Sequence, residues 1–380
     1  MRITKALDGL PPKLRNQLEK AHFDRERLEA LAQRVGKSGA DANRVTGTVE
    51  PPRLDEVVPV PAAATAEGAA AIERGRAALA RGEVAFVVLA GGMATRMGGV
   101  VKALVEVLPD LTFLGYRIRE IDLLHQRYGA RIPLWIMTSF ATSAAIEQAI
   151  EPYREGRTIA TFQQDISLRL TQGGDLFKTS EGGPSIYATG HGDLPDALKR
   201  SGLLDDFLAR GGKTIWIANI DNLGATIDPM LLGWHLGHGA PLSVEVVDKV
   251  GTDKGGIPCR LDGRPVILEE FRLPKGFDAA KVRTFNTNTF IVDARALRDA
   301  RLDWTWFEVK KQVDNGSGTM KDVVQFERLL GELTSALDTR FVKVPRDGLA
   351  SRFLPVKDGP ELDARRPEIA SIARDRGVIA

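Results

Sequence analysis

With 380 residues, 43% of them apolar and 27% charged, the chain has the make-up of an ordinary globular protein and the length for one large domain or two to three smaller ones. A formal net charge of only +2 argues against a broad nucleic-acid surface, though not against a local basic pocket. The single cysteine, Cys259, rules out a disulfide framework and a cysteine-based zinc site, no apolar run approaches the roughly 20 residues of a bilayer span, and Met1-Arg2-Ile3-Thr4-Lys5 lacks a signal-peptide core, so a cytoplasmic enzyme or binding protein with no nucleic-acid or membrane partner is expected.

Residues 8–35 read as helices, with Pro11-Pro12 as an opening and Leu14, Leu18, Phe23, Leu28 and Leu31 near helical spacing. Residues 36–68, rich in Gly, Pro and Ala, read as an extended connector, and a helix over Thr65–Arg81 ends at Gly82. An alternation follows. Strands are predicted at Val84–Ala90, Ile132–Thr138, Thr158–Gln163, Thr214–Ile220, Leu242–Val247 and Phe285–Val292, with helices at Phe113–Tyr128, Ala141–Tyr153, Pro195–Arg210 and Pro229–Gly237. Strands apolar on both faces, alternating with helices, predict an α/β fold with a mostly parallel sheet covered by helices. Gly255–Leu273 reads as a hairpin around Asp262-Gly263. Residues 317–335 suggest another helix, and Arg340–Pro345 a strand.

Chemistry concentrates where strands end. The apolar run Val84–Ala90 empties into Gly91-Gly92-Met93-Ala94-Thr95-Arg96-Met97-Gly98-Gly99-Val100-Val101-Lys102. Small residues free backbone N–H groups to cradle an anion, and Arg96 and Lys102 add positive charge. The loop is neither a Walker A loop nor a Gly-x-Gly-x-x-Gly fingerprint, and a glycine-rich turn with solvated cations is the bland alternative. Asn219 ends a second apolar strand, and Asp221 just beyond it stands where a Mg²⁺ ligand would, or where an Asx turn would cap the strand. His191 lies between Gly190 and Gly192. In Thr284–Phe290, strand alternation puts Asn286 and Asn288 on one face, suited to sugar hydroxyls or simply solvated. Lys357 follows the short apolar stretch Phe353–Val356.

In order and spacing these segments resemble the eukaryotic-type UTP–glucose-1-phosphate uridylyltransferases. The resemblance rests on Leu89-Ala90-Gly91-Gly92 with its later lysine, Thr161-Phe162-Gln163-Gln164, Gly190-His191-Gly192-Asp193, Asn219-Ile220-Asp221-Asn222-Leu223-Gly224-Ala225, Val244–Lys249 with Lys254-Gly255-Gly256, Phe285-Asn286-Thr287-Asn288 and Phe353-Leu354-Pro355-Val356-Lys357. It implies a nucleotidyltransferase core of the GT-A-like type over residues 81–358, a helical N-terminal region and connector over 1–80, and a short tail over 359–380 without the family's C-terminal β-helix.

Residue by residue, the resemblance places the UTP phosphates on Ala90, Gly91, Gly92, Arg96 and Lys102, and uracil against Gln164 and Gly190, with Gly192 beside them. His191 falls near the sugar phosphate, and Asn219, the backbone at Gly256, Glu269, Asn286 and Asn288 near the sugar hydroxyls. Asp221 is expected beside Mg²⁺, and Lys357 against phosphate charge. The implied reaction joins UTP and glucose 1-phosphate into UDP-glucose and pyrophosphate, with Arg96, Lys102 and Lys357 as the catalytic cations. Three departures stand out: Val101 precedes Lys102 where the family has proline, Thr95-Arg96 looks more like bacterial or N-acetylhexosamine enzymes, and Gln164–Leu170 keeps Arg169 but lacks a proline. The alternatives are a pyrophosphorylase for UDP-galactose or a UDP-N-acetylhexosamine, a UDP-sugar glycosyltransferase of similar fold, and a non-catalytic sugar-nucleotide sensor.

Overall fold

Eight strands build the central sheet in the computed structural model of the protein, which describes residues 2–37, 41, 43–94, 97–251, 253 and 255–380. They are β1 (Val57–Pro59), β2 (Val84–Leu89), β3 (Leu134–Thr138), β4 (Ile159–Gln163), β5 (Thr214–Asn219), β6 (Leu242–Asp248), β7 (Thr284–Asp293) and β8 (Thr339–Lys343), in the spatial order β1-β8-β6-β7-β5-β2-β3-β4. Only β7 runs antiparallel to its neighbours, so the sheet is mixed and mostly parallel as the sequence predicts. Because parallel strands all end on one side, the segments after β2, β3, β4, β5 and β6 gather at one edge. The reversed β7 brings its first residues, including Asn286, to that same edge, opposite Val246.

All six residues of β2 are buried. Successive side chains point to opposite faces: Phe86 and Val88 join one apolar layer, Ala85, Val87 and Leu89 the other. Helices that accompany the sheet include α1 (Arg2–Asp8), α2 (Pro12–Lys20), α3 (Arg25–Ala32), α4 (Ala66–Ala80), α5 (Phe113–Tyr128), α6 (Ser143–Ile150), α7 (Leu194–Arg200), α8 (Leu203–Ala209), α9 (Pro229–His238) and α10 (Gly359–Arg376). Residues of α4, α5, α6, α9 and α10 fill the first layer and those of α7 and α8 the second. Local signals set the helix ends. The Thr112 hydroxyl accepts the Gly115 amide (3.0 Å) at the start of α5, and Gly129, at φ +76°, closes it. No helix among the described residues is long and apolar enough to cross a membrane.

The structure corrects two readings. The helix expected over 317–335 is instead a strand, Met320–Glu327, paired antiparallel with Phe307–Asp314; helical geometry is confined to Leu330–Glu332 and Leu333–Ala336. Val324 and Phe326 pack with Leu7, Leu18 and Leu28 of α1–α3 and with Ile166 and Leu168, so partners distant in sequence decide the conformation of an ambiguous apolar run. The single helix expected over Pro195–Arg210 is split into α7 and α8, because Gly202 turns the chain at φ +77°. The connector over 36–68 contributes β1 to the sheet edge and Val49–Glu50 to the Gly256–Leu261 strand. Residues 359–380, expected only as a tail, include α10, started by Asp358 accepting from Glu361 N (2.9 Å) and seated through Leu362, Ile369, Ile372 and Ala373.

Helices α4 and α9 touch backbone to backbone. A Cβ on Gly233 would stand 1.7 Å from Ala71 O, and one on Gly75 1.8 Å from Pro229 O. Gly233→Ala is therefore expected to lower unfolding free energy by about 3 kcal/mol, whereas Gly359→Ala, with nothing within 4 Å, stays near wild type. Urea unfolding monitored by tryptophan fluorescence checks this; equal midpoints for the two variants would contradict the close packing.

Candidate active site

The phosphate-loop candidate begins where β2 ends. The Ala90 amide donates to Met137 O (2.8 Å), so this residue continues the sheet and its N–H is already engaged. The chain then leaves through Gly91 and Gly92, and the Lys102 amide returns to Gly92 O (3.3 Å). Met93–Ala94 and Val100–Val101 pair as a short ribbon between them, with Gly98 and Gly99 at positive φ. Arg96 lies outside the described residues, as does Lys254. Gln164 leaves β4 with its carboxamide against Gly91, where a Cβ would come within 3.0 Å of both its oxygen and its nitrogen. The half-buried Lys102 ammonium pairs with the half-buried Asp221 carboxylate, reached two residues after β5. Two neighbouring strand exits thus deliver a cation and an anion to one point.

Gly190 and Gly192 lie against Arg328. Gly190 has φ +104°, and a Cβ there would be 2.5 Å from Arg328 O; one on Gly192 would be 2.6 Å from Arg328 C. No other residue type fits this approach. Arg328 is buried and bonds Asp193 (Nε to Oδ1, 2.8 Å), Asp196 (2.8 Å) and Asp165 (3.2 Å). Asp193 in turn accepts the Asp165 amide (3.1 Å) and the Thr189 hydroxyl (2.6 Å). This network fixes both the residue after Gln164 and the turn through Gly190. His191 Nδ1 accepts the Leu330 amide (3.0 Å), which places the ring proton on Nε2. Burial pushes its pKa down to about 4, so the unliganded ring is neutral at pH 7.

On the other flank, Asn288 Nδ2 donates to Asn219 Oδ1 (2.9 Å) and Asn288 N to Asn286 Oδ1 (2.9 Å). The expected regular alternation of the two asparagines is broken here. Pairing with β6 jumps from Glu245↔Thr289 to Val246↔Asn286, and Asn288 adopts φ +58°. This bulge aims the Asn288 amide at Asn219, a common use of bulges beside sites. Gly256 pairs with Glu269 across the hairpin; a Cβ on Gly256 would be 3.1 Å from Glu269 Oε1 and 3.4 Å from Asn286 Nδ2. Asn219, Asn286, Asn288, Glu269 and Gly256 therefore form one polar group. Burial pushes the Glu269 carboxyl up to about 7, helped by Glu270 and opposed by Arg272. Lys357 is exposed, and its charge helps hold the Asp253 carboxyl below its ordinary value. The Lys357 amide donates to Glu361 Oε2 (2.7 Å), and no ion pair among the described residues joins its ammonium to Asp221.

The sequence motifs include Asn222 and Glu245 but give no sign of the contacts they make. Asn222 accepts the Leu354 amide (2.7 Å) and donates to Arg352 O (3.2 Å), joining the Asp221 loop to the Lys357 segment. Arg117 of α5, fully buried, donates to Glu120 (2.6 Å), Ala225 O (3.1 Å), Asn219 O (3.4 Å) and Asn222 O. Arg352 makes a bidentate pair with Glu245 (2.7 and 2.6 Å), both buried, and bonds Thr226 O (2.7 Å).

The residue types and their placement suit a ligand with both phosphates and hydroxyls. A phosphate chain fits the glycine loop and Lys102, and hydroxyls fit the amides and Glu269. Asp221 offers one carboxylate for a metal, and no group of three or more His, Cys, Asp and Glu side chains clusters among the described residues. Such a donor set fits Mg²⁺, which binds through one or two carboxylates plus substrate phosphates, better than a metal held by protein alone.

Comparison with known proteins gives a consistent result. The family model for UTP–glucose-1-phosphate uridylyltransferase matches residues 29–372. The Saccharomyces cerevisiae enzyme of that name is 33% identical over 290 residues, covering 72% of this chain and 57% of its own length. The present chain thus spans little more than half of that relative. Among solved structures, a UDP-glucose phosphorylase from Trypanosoma brucei superposes with a TM-score of 0.72 at 25% identity, covering 92% of this chain and 77% of that one. A protein described as a UDP-N-acetylglucosamine pyrophosphorylase from Entamoeba histolytica reaches 0.68 at 16% identity, over 82% of this chain and 84% of that one, a likeness of fold.

Arg352→Met leaves Glu245 buried without its partner and is expected to cost about 3–5 kcal/mol, most of it recovered in Glu245→Leu/Arg352→Met. Chemical denaturation of both variants checks this, and a single variant as stable as wild type would contradict the pairing. Glu269 has its own pH signature. Its folded pKa is raised, so its stabilising effect is full below about 4.5 and is lost as pH rises through about 7. The stability of wild type relative to Glu269→Gln should accordingly fall between pH 4.5 and 7. A pH-independent difference between the two would overturn the raised pKa.

Proposed function

Because this chain belongs to the UTP–glucose-1-phosphate uridylyltransferase family, we propose that it joins UTP and α-D-glucose 1-phosphate into UDP-glucose and pyrophosphate. The observation that carries this reading is the meeting of Lys102 and Asp221 at the exits of β2 and β5, between the glycine loop and the asparagine cluster.

The sugar phosphate oxygen attacks the UTP α-phosphorus, and the bond to the departing pyrophosphate breaks on the opposite side. The nucleophile is already an anion, so no general base is required. The obstacle is mutual repulsion of two polyanions in a poor orientation, and the protein acts by positioning and neutralising them. Gly91 and Gly92 let the phosphates approach the backbone, and Lys102 neutralises them. Gln164, held against Gly91, meets the donor–acceptor edge of uracil together with the Gly190 turn. Gly192 serves by letting that turn sit flush on Arg328. His191 donates from Nε2 to the sugar phosphate. Asn219, Asn286, Asn288 and Glu269, with the backbone at Gly256, take the sugar hydroxyls. Lys357 is assigned to screening phosphate charge, and Arg96 to the departing pyrophosphate from its place in the loop sequence.

Asp221 would hold Mg²⁺, which supplies charge neutralisation at the phosphate oxygens when bound. Lys102 then exchanges its carboxylate partner for a phosphate. The two groups therefore neutralise each other before ligands arrive, and neither is left as a bare charge in a half-buried site.

Lys102→Ala and Lys357→Ala are each expected to lower turnover by about 10²–10³. The assay is pyrophosphate-dependent conversion of UDP-glucose to UTP, with a panel of sugar 1-phosphates in the forward direction. Near-normal turnover of Lys357→Ala would overturn its role. Hydrolysis or transfer of the sugar without UTP formation would point to a glycosyltransferase.

A further inference from the structure

We propose that Arg376, at the end of α10, is a positioning residue for this reaction, holding the loop that carries Asp221 against the segment that carries Lys357. The inference rests on the proposed uridylyl transfer for its kinetic consequence, but its structural basis stands separately. The guanidinium donates through Nη1 to Leu223 O (2.9 Å) and through Nη2 to Gly224 O (3.2 Å) and Ser351 O (2.8 Å). The first two carbonyls follow Asp221 closely; the third opens the stretch leading to Lys357. Asn222 joins the same two segments from within, and Gly224 abuts the Arg352 backbone, where a Cβ would be 2.5 Å from its carbonyl carbon.

Only a planar fork with several fixed donors can serve three carbonyls of two segments at once; a lysine ammonium lacks that geometry. The helix bearing it is itself fixed. Ile369, Ile372 and Ala373 are buried in the same apolar layer as residues of α5, and Gly377 ends the helix at φ +77° with Val378 N bonded to Ala373 O (2.7 Å). From α5, Glu120 and Arg117 face the guanidinium, so its charge is set among theirs. Arg376 lies beyond the residues matched by the family model, which end at 372. Its role is therefore read from this chain's own contacts. Without it the Leu223 and Ser351 carbonyls lose their donor, Gly224 O keeps only the Thr226 amide (3.1 Å), and the separation of Asp221 from Lys357 relaxes. A misplacement of about 1 Å can cost two orders of magnitude in rate.

A cavity of about 370 Å³, lined by Glu120, Thr226, Leu231, Arg352 and Arg376, lies beside the guanidinium and gives room for chemical rescue. Arg376→Ala is expected to lower kcat for UDP-glucose pyrophosphorolysis about 100-fold, with both KM values within about threefold of wild type. Added guanidinium should restore much of the rate in the variant and none in wild type, and Arg376→Lys should fall between. Amide hydrogen exchange should rise together in residues 221–225 and 351–357 while β2 and β5 stay protected. Wild-type kcat in Arg376→Ala, a loss matching only its unfolded fraction and unrescued, or exchange rising in one segment alone would overturn the proposal. If the alanine variant does not fold, Arg376→Lys decides by the same kinetic and exchange criteria. A wild-type protein without turnover would count against the functional reading alone, since exchange still decides the clamp.

Discussion

An ammonium and a carboxylate delivered by two different strand exits must stay within ion-pair distance. The Lys102–Asp221 contact depends on β2 and β5 lying side by side in parallel register, with Leu89 opposite Asn219. That register is held by an apolar sheet covered on both faces. A one-residue slip would turn every side chain of β5 to the wrong layer, so burial in the core is also what aligns the two charges. The glycine loop carries Lys102 to this point, and the amide cluster begins at Asn219, two residues before Asp221.

Buried arginines do much of the work that regular secondary structure leaves undone at the sheet edge. Arg117, Arg352 and Arg376 supply donors to carbonyls of residues 219–226 and 351, and Arg328 serves three carboxylates beneath Gly190. Loops have carbonyls without ladder partners, and a buried carbonyl left without a donor is costly. A guanidinium fork answers several at once. The result is a set of irregular segments whose buried carbonyls are hydrogen-bonded, the kind of support that a precisely placed site needs.

The sheet and the strand-exit residues were legible in the sequence because each follows an apolar run that ends at glycine, asparagine or aspartate. Thus Gly91, Asn219 and Asp221 stand where the pattern puts them. The clamps were not legible. Arg352 and Glu245, or Arg376 and Leu223, are far apart in the chain, and a lone arginine on a helix reads as a solvated charge. The strand Met320–Glu327 lies where a helix over 317–335 is expected for a related reason: apolar partners of Val324 and Phe326 come from the N-terminal helices. The bulge at Asn288 has no local signature either, since it arises from the mismatch of β7 against β6.

A crystal structure with UDP-glucose bound tests the account most directly. It should show the diphosphate at Lys102, with the Lys102–Asp221 pair opened and the hexose hydroxyls on Asn219, Asn286, Asn288 and Glu269. A diphosphate bound elsewhere, with that pair intact, would contradict it.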